Sequence, residues 1–174
     1  MSQNILKNKS SQIDLSVYIK SFLSLMKPRV MSLVLFTAMV GLIVAPITVS
    51  FTTASLSLLA VAIGSGAAGA LNMWYESDVD ALMSRTCLRP IPTGKIKREQ
   101  ALLFGVVLSF ISIAMLYLSA NLISAILLAV TISFYFFIYT IWLKRKTAQN
   151  IVIGGAAGAL PPVIGWAVAM NNIS

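Results

Sequence analysis

Five long apolar stretches constrain this chain more than any other feature. They occupy residues 30–51, 54–75, 101–120, 122–143 and 151–170. An α-helix needs about 20 consecutive apolar residues to cross a bilayer, and each stretch reaches that length. The chain is 58% hydrophobic and 10% charged, whereas soluble domains are about half apolar and a quarter charged. The sequence therefore predicts an all-α, polytopic transmembrane helix bundle with five spans.

The basic residues indicate how these spans are oriented. All 13 of them fall before the first span, between the second and third, or between the fourth and fifth. With five spans, those segments share one side of the membrane, and an excess of Lys and Arg marks the cytoplasmic side. We therefore expect a cytoplasmic N-terminus and an external C-terminus. The apolar content argues against nucleic acid as a partner, and anionic membrane lipid explains the net charge of +8 better.

Two regions are expected along the chain. Residues 1–29 form a polar, cytoplasmic segment without the pattern of a signal peptide, and residues 30–174 form the transmembrane domain. Apolar residues recur at helical spacing late in the first region. This spacing predicts a short helix lying at the membrane interface, and packing against the first span is an equal alternative. The apolar residues concerned are Leu15, Tyr18, Phe22 and Leu25.

Small residues are concentrated in two stretches, 64–70 in the second span and 154–162 in the fifth. Small residues let transmembrane helices approach each other closely, so we expect these stretches to pack against neighbouring helices. A direct role in binding a ligand is the alternative. Pro161 and Pro162 are expected to bend or break the fifth helix.

The scarce acidic residues are concentrated at the end of the second apolar stretch. The chain has five acids, and three of them fall within five positions there, Glu76, Asp78 and Asp80. Each step of four residues along an α-helix turns the direction by about 40°. If the second helix continues through Asp80, then Asn72, Glu76 and Asp80 share one face, and Asp78 points roughly the other way.

Three oxygen-bearing side chains on one face can bind a hard cation such as Mg²⁺. The chain has no histidine and one cysteine, so any metal must be held by oxygen. Arg85 and Arg89 follow directly and offer forked donors for phosphate oxygens, and Lys95 adds a point charge. A solvated helix end with salt bridges to these arginines is the structural alternative. Carboxylates in or near a span are costly and usually functional, which favours a metal–diphosphate site.

This layout predicts a reaction as well as a site. An apolar bundle can hold an isoprenoid tail while the diphosphate sits on Mg²⁺ and arginines at its mouth. Neutralising the diphosphate promotes ionisation of the allylic C–O bond. The membrane then keeps the resulting carbocation away from water until an electron-rich acceptor captures it.

Three stretches carry a resemblance to a known family. The run "NMWYESDVDALMSRTCLRPIPTGKI" resembles the first aspartate-rich motif of the UbiA-type intramembrane prenyltransferases. The stretches "LMKPRVMSLVLFTAMVGLIVAP" and "YTIWLKRKTAQNIVIGGAAGALPPVIGW" are similar to the branch that farnesylates protoheme. The resemblance covers nearly all of the chain after its first 15 residues.

The resemblance implies a Mg²⁺-dependent enzyme of the bacterial inner membrane whose active site faces the cytoplasm. It implies transfer of the farnesyl group from farnesyl diphosphate to a vinyl group of protoheme. It places metal and diphosphate on Asn72, Glu76 and Asp80, with Asp78 as an additional acidic member of the catalytic group. The basic residues that it assigns to substrate binding are Arg85, Arg89, Lys95, Lys144 and Arg145. The resemblance gives Lys144 and Arg145 a role in binding diphosphate or the porphyrin propionates. The positive-inside rule explains both residues at least as well.

The chain departs from the family pattern in two ways. The family usually has Asp at the position of Glu76, and many members have another Asp at the position of Met73. The resemblance also implies about nine spans of roughly 20 residues each, with a second acidic cluster in the latter half. We therefore expect this chain to be the N-terminal portion of the fold, to lack a C-terminal half and to be inactive alone.

Three alternatives remain at this point. The first is a prenyltransferase that acts on a quinone precursor. The second is a transporter or cation channel in which Glu76 and Asp80 form an ion site, which predicts charges buried at mid-membrane. The third is a non-catalytic membrane fragment that retains only the topology.

Overall fold

The computed structural model describes residues 15–144, 146 and 149–172. Within that part of the chain every regular element is a helix, as predicted. The elements are α1 (Leu15–Leu25), α2 (Pro28–Val44), α3 (Phe51–Leu82), α4 (Arg98–Ser119), α5 (Leu122–Ser133), a π-helical segment (Phe134–Leu143) and α6 (Asn150–Met170). We call Phe134–Leu143 the π-segment. The first 14 residues of the N-terminal region lie outside the described residues.

Four of these stretches are long and apolar enough to cross a membrane. They are α3, α4, α5 together with the π-segment, and Val152–Met170 within α6. The first predicted span corresponds to α2, which has only 17 residues. Helix α2 is long enough for a membrane span only when α1 is counted with it, and the axes of the two helices are bent by 50°. The described chain therefore has four spans, or the five predicted if the bent pair counts as one.

The end of α2 differs from the prediction because a proline follows it. The apolar pattern extends to residue 51, but the helix ends at Val44 and Ala45 is extended, with φ −61° and ψ 137°. Ala45 precedes Pro46, and the proline ring disfavours helical geometry in the residue before it. Apolar composition alone did not reveal this stop.

Helix α3 continues well beyond the apolar stretch that predicted it. It has 32 residues and ends at Leu82. At 1.5 Å per residue it is about 48 Å long, whereas the hydrocarbon core of a bilayer is about 30 Å thick. The helix is therefore longer than the apolar layer is thick, and its last turns carry the acidic residues.

Helix α6 runs through Pro161 and Pro162 without interruption, so the expected break is absent. Helix α2 packs directly against this part of α6. A Cβ atom added to Gly41 would lie 2.0 Å from the Pro162 carbonyl oxygen, and one added to Gly165 would lie 2.0 Å from the Ala38 carbonyl oxygen. Prolines are tolerated in transmembrane helices where neighbouring groups satisfy the freed backbone, and α2 is the helix packed closely against this part of α6.

The small residues of α3 also serve close packing, as predicted. A Cβ atom added to Gly66 would lie 2.5 Å from Met26, and one added to Gly64 would lie 2.9 Å from Leu128. The segment between α1 and α2 and helix α5 therefore both approach the α3 backbone closely. Small residues allow such approaches in membranes.

Helix α1 docks on the bundle. Leu25 is fully buried in a cluster with Ala70, Met73, Ile96 and Ala101. The rings of Phe22 and Phe104 meet edge to face, with centroids 4.9 Å apart. Helix α1 therefore packs on α3 and α4, not on the first predicted span, α2.

The close approach of α2 and α6 leads to a stability prediction. Gly41→Ala should destabilise the fold by about 1–3 kcal/mol because the added methyl group forces α2 and α6 apart. Gly155→Ala is the matched control, since nothing lies within 4 Å of its added Cβ. Thermal unfolding in detergent measures both variants, and equal midpoints would contradict the packing described for α2 and α6.

Candidate active site

The buried face of α3 carries three polar side chains on successive turns. Asn72 is 1% exposed, Glu76 9% and Asp80 4%. The helix continues through Asp80, which is the condition that the sequence prediction required. Asp78 is exposed, as expected for a residue off this face.

Asp80 is held by the loop that follows α3. The Thr86 hydroxyl donates to the Asp80 carbonyl oxygen at 3.1 Å, and the Arg89 amide donates to the Thr86 carbonyl oxygen at 3.0 Å. These bonds turn the chain back toward the helix. Arg89 Nη1 then lies 2.8 Å from Asp80 Oδ1 and 2.6 Å from Oδ2. This ion pair is the salt bridge of the structural alternative, although Asp80 is buried and not solvated, and the predicted role of Arg89 with phosphate oxygens stays a prediction.

Glu76 is paired with a residue at the end of the π-segment. The Lys144 amide donates to the Tyr139 carbonyl oxygen at 3.0 Å, five residues back. Lys144 Nζ lies 2.5 Å from Glu76 Oε1 and 5.7 Å from the centre of the Tyr139 ring. The Glu76 carboxylate and the ring therefore share one ammonium group.

Asn72 uses both ends of its amide. Its Oδ1 accepts from Lys27 Nζ, and its Nδ2 donates to Thr140 Oγ1 at 3.2 Å. Lys27 lies in the break between α1 and α2 with φ 52° and ψ 66°. This left-handed conformation costs a non-glycine residue roughly 1–2 kcal/mol, and the following Pro28 disfavours the right-handed helical alternative. The break therefore directs Lys27 toward α3.

Three basic groups thus face two carboxylates and one amide oxygen. Lys27, Arg89 and Lys144 outnumber the carboxylates of Glu76 and Asp80 by one charge. Among the described residues, no buried side-chain nitrogen or oxygen lacks a hydrogen-bond partner. A net positive, fully bonded cluster suits an anionic ligand such as a phosphate.

The same side chains are chemically suited to Mg²⁺. Asn72, Glu76 and Asp80 offer only oxygen, which hard divalent cations prefer. No group of three or more His, Cys, Asp or Glu residues within the described ranges is placed to hold a metal ion. The assignment of a metal to Asn72, Glu76 and Asp80 therefore stays a prediction.

The other predicted site residues lie apart from this cluster. Arg85 and Lys95 are exposed, and no salt bridge in the described part of the chain joins either to an acid. Arg145 lies outside the described residues. The sequence interpretation did not include Lys27 or Thr140 in the site. A lysine directly before a proline, Lys27-Pro28, indicates a turn and could have pointed to Lys27. The aromatic sequence around Thr140 contains no pattern that predicts a role for Thr140.

An apolar cavity of about 190 Å³ lies beside the cluster, between α2, α3, α5 and α6. Both small-residue stretches line it, which agrees with the ligand-binding alternative as well as with packing. Lys27 lines the cavity and also donates to Asn72, so the polar cluster borders the cavity. Three further polar side chains lie on its wall, Ser65, Thr131 and Tyr135 of the π-segment.

The UbiA prenyltransferase family model matches residues 34–174. The chain is 63% identical over 175 residues to the protoheme IX farnesyltransferase of Pelagibacter ubique (strain HTCC1062), which covers 100% of this chain and 57% of that protein. It is 54% identical over 174 residues to the protoheme IX farnesyltransferase of Bartonella bacilliformis, which covers 100% of this chain and 56% of that protein. The chain thus spans about half the length of the curated relatives it matches. No solved structure shows a significant match.

The pairing of Asp80 with Arg89 leads to a test of the site's structure. Arg89→Gln leaves the buried Asp80 carboxylate without its cation, and we expect a loss of about 1–3 kcal/mol in the free energy of unfolding. The matched control is Arg85→Gln, which removes an exposed guanidinium from the same loop and should change stability by less than about 0.5 kcal/mol. Denaturant titration in detergent measures both variants. Equal losses would show that the ion pair is not specific.

Proposed function

The chain belongs to the UbiA prenyltransferase family, and from that premise we propose that the protein transfers the farnesyl group of farnesyl diphosphate to a vinyl group of protoheme. The relatives are named protoheme IX farnesyltransferase, which supports this donor and acceptor. The observation that carries the proposal is the position of Lys27, which lines the apolar cavity and binds Asn72 of the polar cluster. A diphosphate in the cluster would have its prenyl chain beside the cavity.

Asn72, Glu76 and Asp80 are the residues that would hold Mg²⁺. A Mg²⁺ ion bound there would neutralise negative charge on a departing diphosphate. The fit rests on three buried oxygen donors at successive turns of α3. Mg²⁺ in enzymes uses one or two carboxylates and takes its other ligands from waters and substrate phosphates.

The basic side chains supply the diphosphate contacts. Lys27, Arg89 and Lys144 each donate to the acidic face of α3, and a diphosphate would compete with the carboxylates for the same N–H groups. Arg89 offers a planar fork that matches phosphate oxygens, whereas the two lysines act as compact charges. Arg85, Lys95 and Arg145 remain candidates for weaker contacts at the mouth of the site.

The cavity protects the reactive end of the prenyl chain. When the allylic C–O bond breaks, its electron pair leaves with the diphosphate, and the π electrons of the vinyl group form the new C–C bond to the allylic cation. The positive charge then lies on the other vinyl carbon, where a water molecule adds and releases one proton to the solvent. Apolar walls exclude water, which would otherwise trap the cation. Tyr135 lies on the wall, and an aromatic ring that turns its face to the cavity would stabilise the same charge. Ligand pockets typically measure about 300–1,000 Å³, so this smaller cavity seats part of a farnesyl chain.

The position of the acids along α3 favours this function over ion transport. Glu76 and Asp80 lie in the last two turns before Leu82, at one end of a helix that is longer than the apolar layer is thick. Transport sites lie near the middle of the membrane. The names of the relatives favour protoheme over a quinone precursor as the acceptor.

The protein is an integral membrane protein, and we propose that it lies in the bacterial inner membrane with the site facing the cytoplasm. The distribution of its basic residues supports this orientation. A periplasm-active reporter fused after Ser174 should therefore be active, and a cytoplasm-active one silent. The opposite pattern would place the acidic face of α3 outside the cell and contradict the proposal.

The relatives are nearly twice as long as this chain, so ligand binding is the appropriate test of the site. Purified in nanodiscs, the chain should bind farnesyl diphosphate in the presence of Mg²⁺, as measured by calorimetry. Asp80→Asn should weaken that Mg²⁺-dependent binding by about 10–100-fold, because it removes one carboxylate from the oxygen donors.

Glu99→Gln is the matched control for the loss of a carboxylate. Glu99 is an exposed acid in the first turn of α4, and its substitution should leave binding within about twofold of the wild type. Equal weakening by both substitutions, or tight binding that is indifferent to Mg²⁺, would contradict the proposed site. Addition of protoheme to the loaded chain then reports whether farnesyl transfer occurs.

A further inference from the structure

We propose that Thr140 is a positioning residue that orients the Asn72 amide, so that its oxygen and not its nitrogen faces the cationic side of the site. The metal-binding consequence of this orientation rests on the function proposed above. The orientation itself rests on hydrogen bonds within the described chain.

The hydrogen bonds of Thr140 leave one choice for Asn72. The Thr140 hydroxyl is fully buried and donates its only proton to the Tyr135 carbonyl oxygen at 2.9 Å. It can therefore only accept from Asn72. Asn72 must present its NH₂ group to Thr140, at 3.2 Å, and its Oδ1 is then turned toward Lys27.

The opposite orientation would be costly on both sides. Asn72 Nδ2 would face Lys27 Nζ, which places donor against donor, and its Oδ1 would face a hydroxyl whose proton is already used. Each unpaired buried polar group costs about 1–3 kcal/mol. A flipped amide would also offer no oxygen to a cation held by the carboxylates.

The π-segment makes this arrangement possible. In an α-helix, a threonine hydroxyl bonds the carbonyl three or four residues back, whereas Thr140 bonds the carbonyl five residues back. The same wide turn is seen where the Lys144 amide bonds the Tyr139 carbonyl. Turns of this kind occur frequently at functional sites.

The π-segment and α3 meet at matching positions. Thr140 binds Asn72, and four residues further along each element Lys144 binds Glu76. Residues four apart lie near one another on a helical face. One face of the π-segment therefore orients the amide and supplies a cation to the neighbouring carboxylate.

Hydrogen exchange of the Asn72 side chain tests the orientation directly. The chain is labelled with ¹⁵N-asparagine in nanodiscs, and the Asn72 signal is assigned by its loss in Asn72→Asp. We expect protected side-chain protons in the wild type and exchange at least about tenfold faster in Thr140→Val, which keeps the shape but lacks the hydroxyl. Thr140→Ser keeps the hydroxyl and should restore protection.

Mn²⁺ binding, measured by electron paramagnetic resonance, tests the consequence. Thr140→Val should weaken Mn²⁺ binding by about 10–100-fold, which is the usual effect of losing a residue that orients a metal ligand. The affinity of Thr140→Ser for Mn²⁺ should be close to that of the wild type. In an Asn72→Asp background the same Val substitution should have little effect, because a carboxylate has oxygen on both sides.

The outcomes separate this inference from the proposed function. If the wild type binds no Mn²⁺, the proposed metal site is wrong, while the exchange data still decide the role of Thr140. An unprotected Asn72 amide in the wild type overturns the inference whether or not the valine variant folds. Equal protection in the Val and Ser variants overturns it as well.

Discussion

The structure depends on one constraint, that polar groups buried within a membrane protein must find partners inside it. Helix α3 buries an amide and two carboxylates along one face. Three cations from three separate segments meet them: Lys27 from the break between α1 and α2, Arg89 from the loop after α3, and Lys144 from the end of the π-segment. These contacts join distant parts of the sequence in one polar cluster. The cluster explains why α1, the loop and the π-segment all converge on the same end of α3.

Small residues supply the second condition, which is close approach between helices. Gly64 and Gly66 bring α5 and Met26 against α3, and Gly41 brings α2 against Pro162. Where the side chains are small but the helices do not touch, a cavity remains beside the polar cluster. Small residues thus serve close packing and also line a cavity, and the ligand-binding alternative stays a prediction.

Local patterns predicted the parts of the fold that depend on local chemistry. Apolar length predicted the helices, and spacing predicted that Asn72, Glu76 and Asp80 would share a face while Asp78 would not. Tertiary contacts were harder to predict: α6 continues through Pro161 and Pro162 where α2 packs against it, so of the predicted bend or break the break does not occur. The contact between Lys27 and Asn72 joins residues 45 apart, and that between Asn72 and Thr140 joins residues 68 apart. Neither the left-handed lysine nor the π-segment has a periodic signature, so the cationic half of the site was only partly predicted.

The length of α3 has a consequence for the membrane around it. A helix longer than the hydrocarbon layer responds to a thinner or thicker bilayer by changing its tilt, at modest cost. Because α3 carries the acidic face at its end, such tilting changes the depth of those side chains relative to the lipid headgroups. The thickness of the lipid bilayer therefore influences how deep the acidic face lies relative to the headgroups.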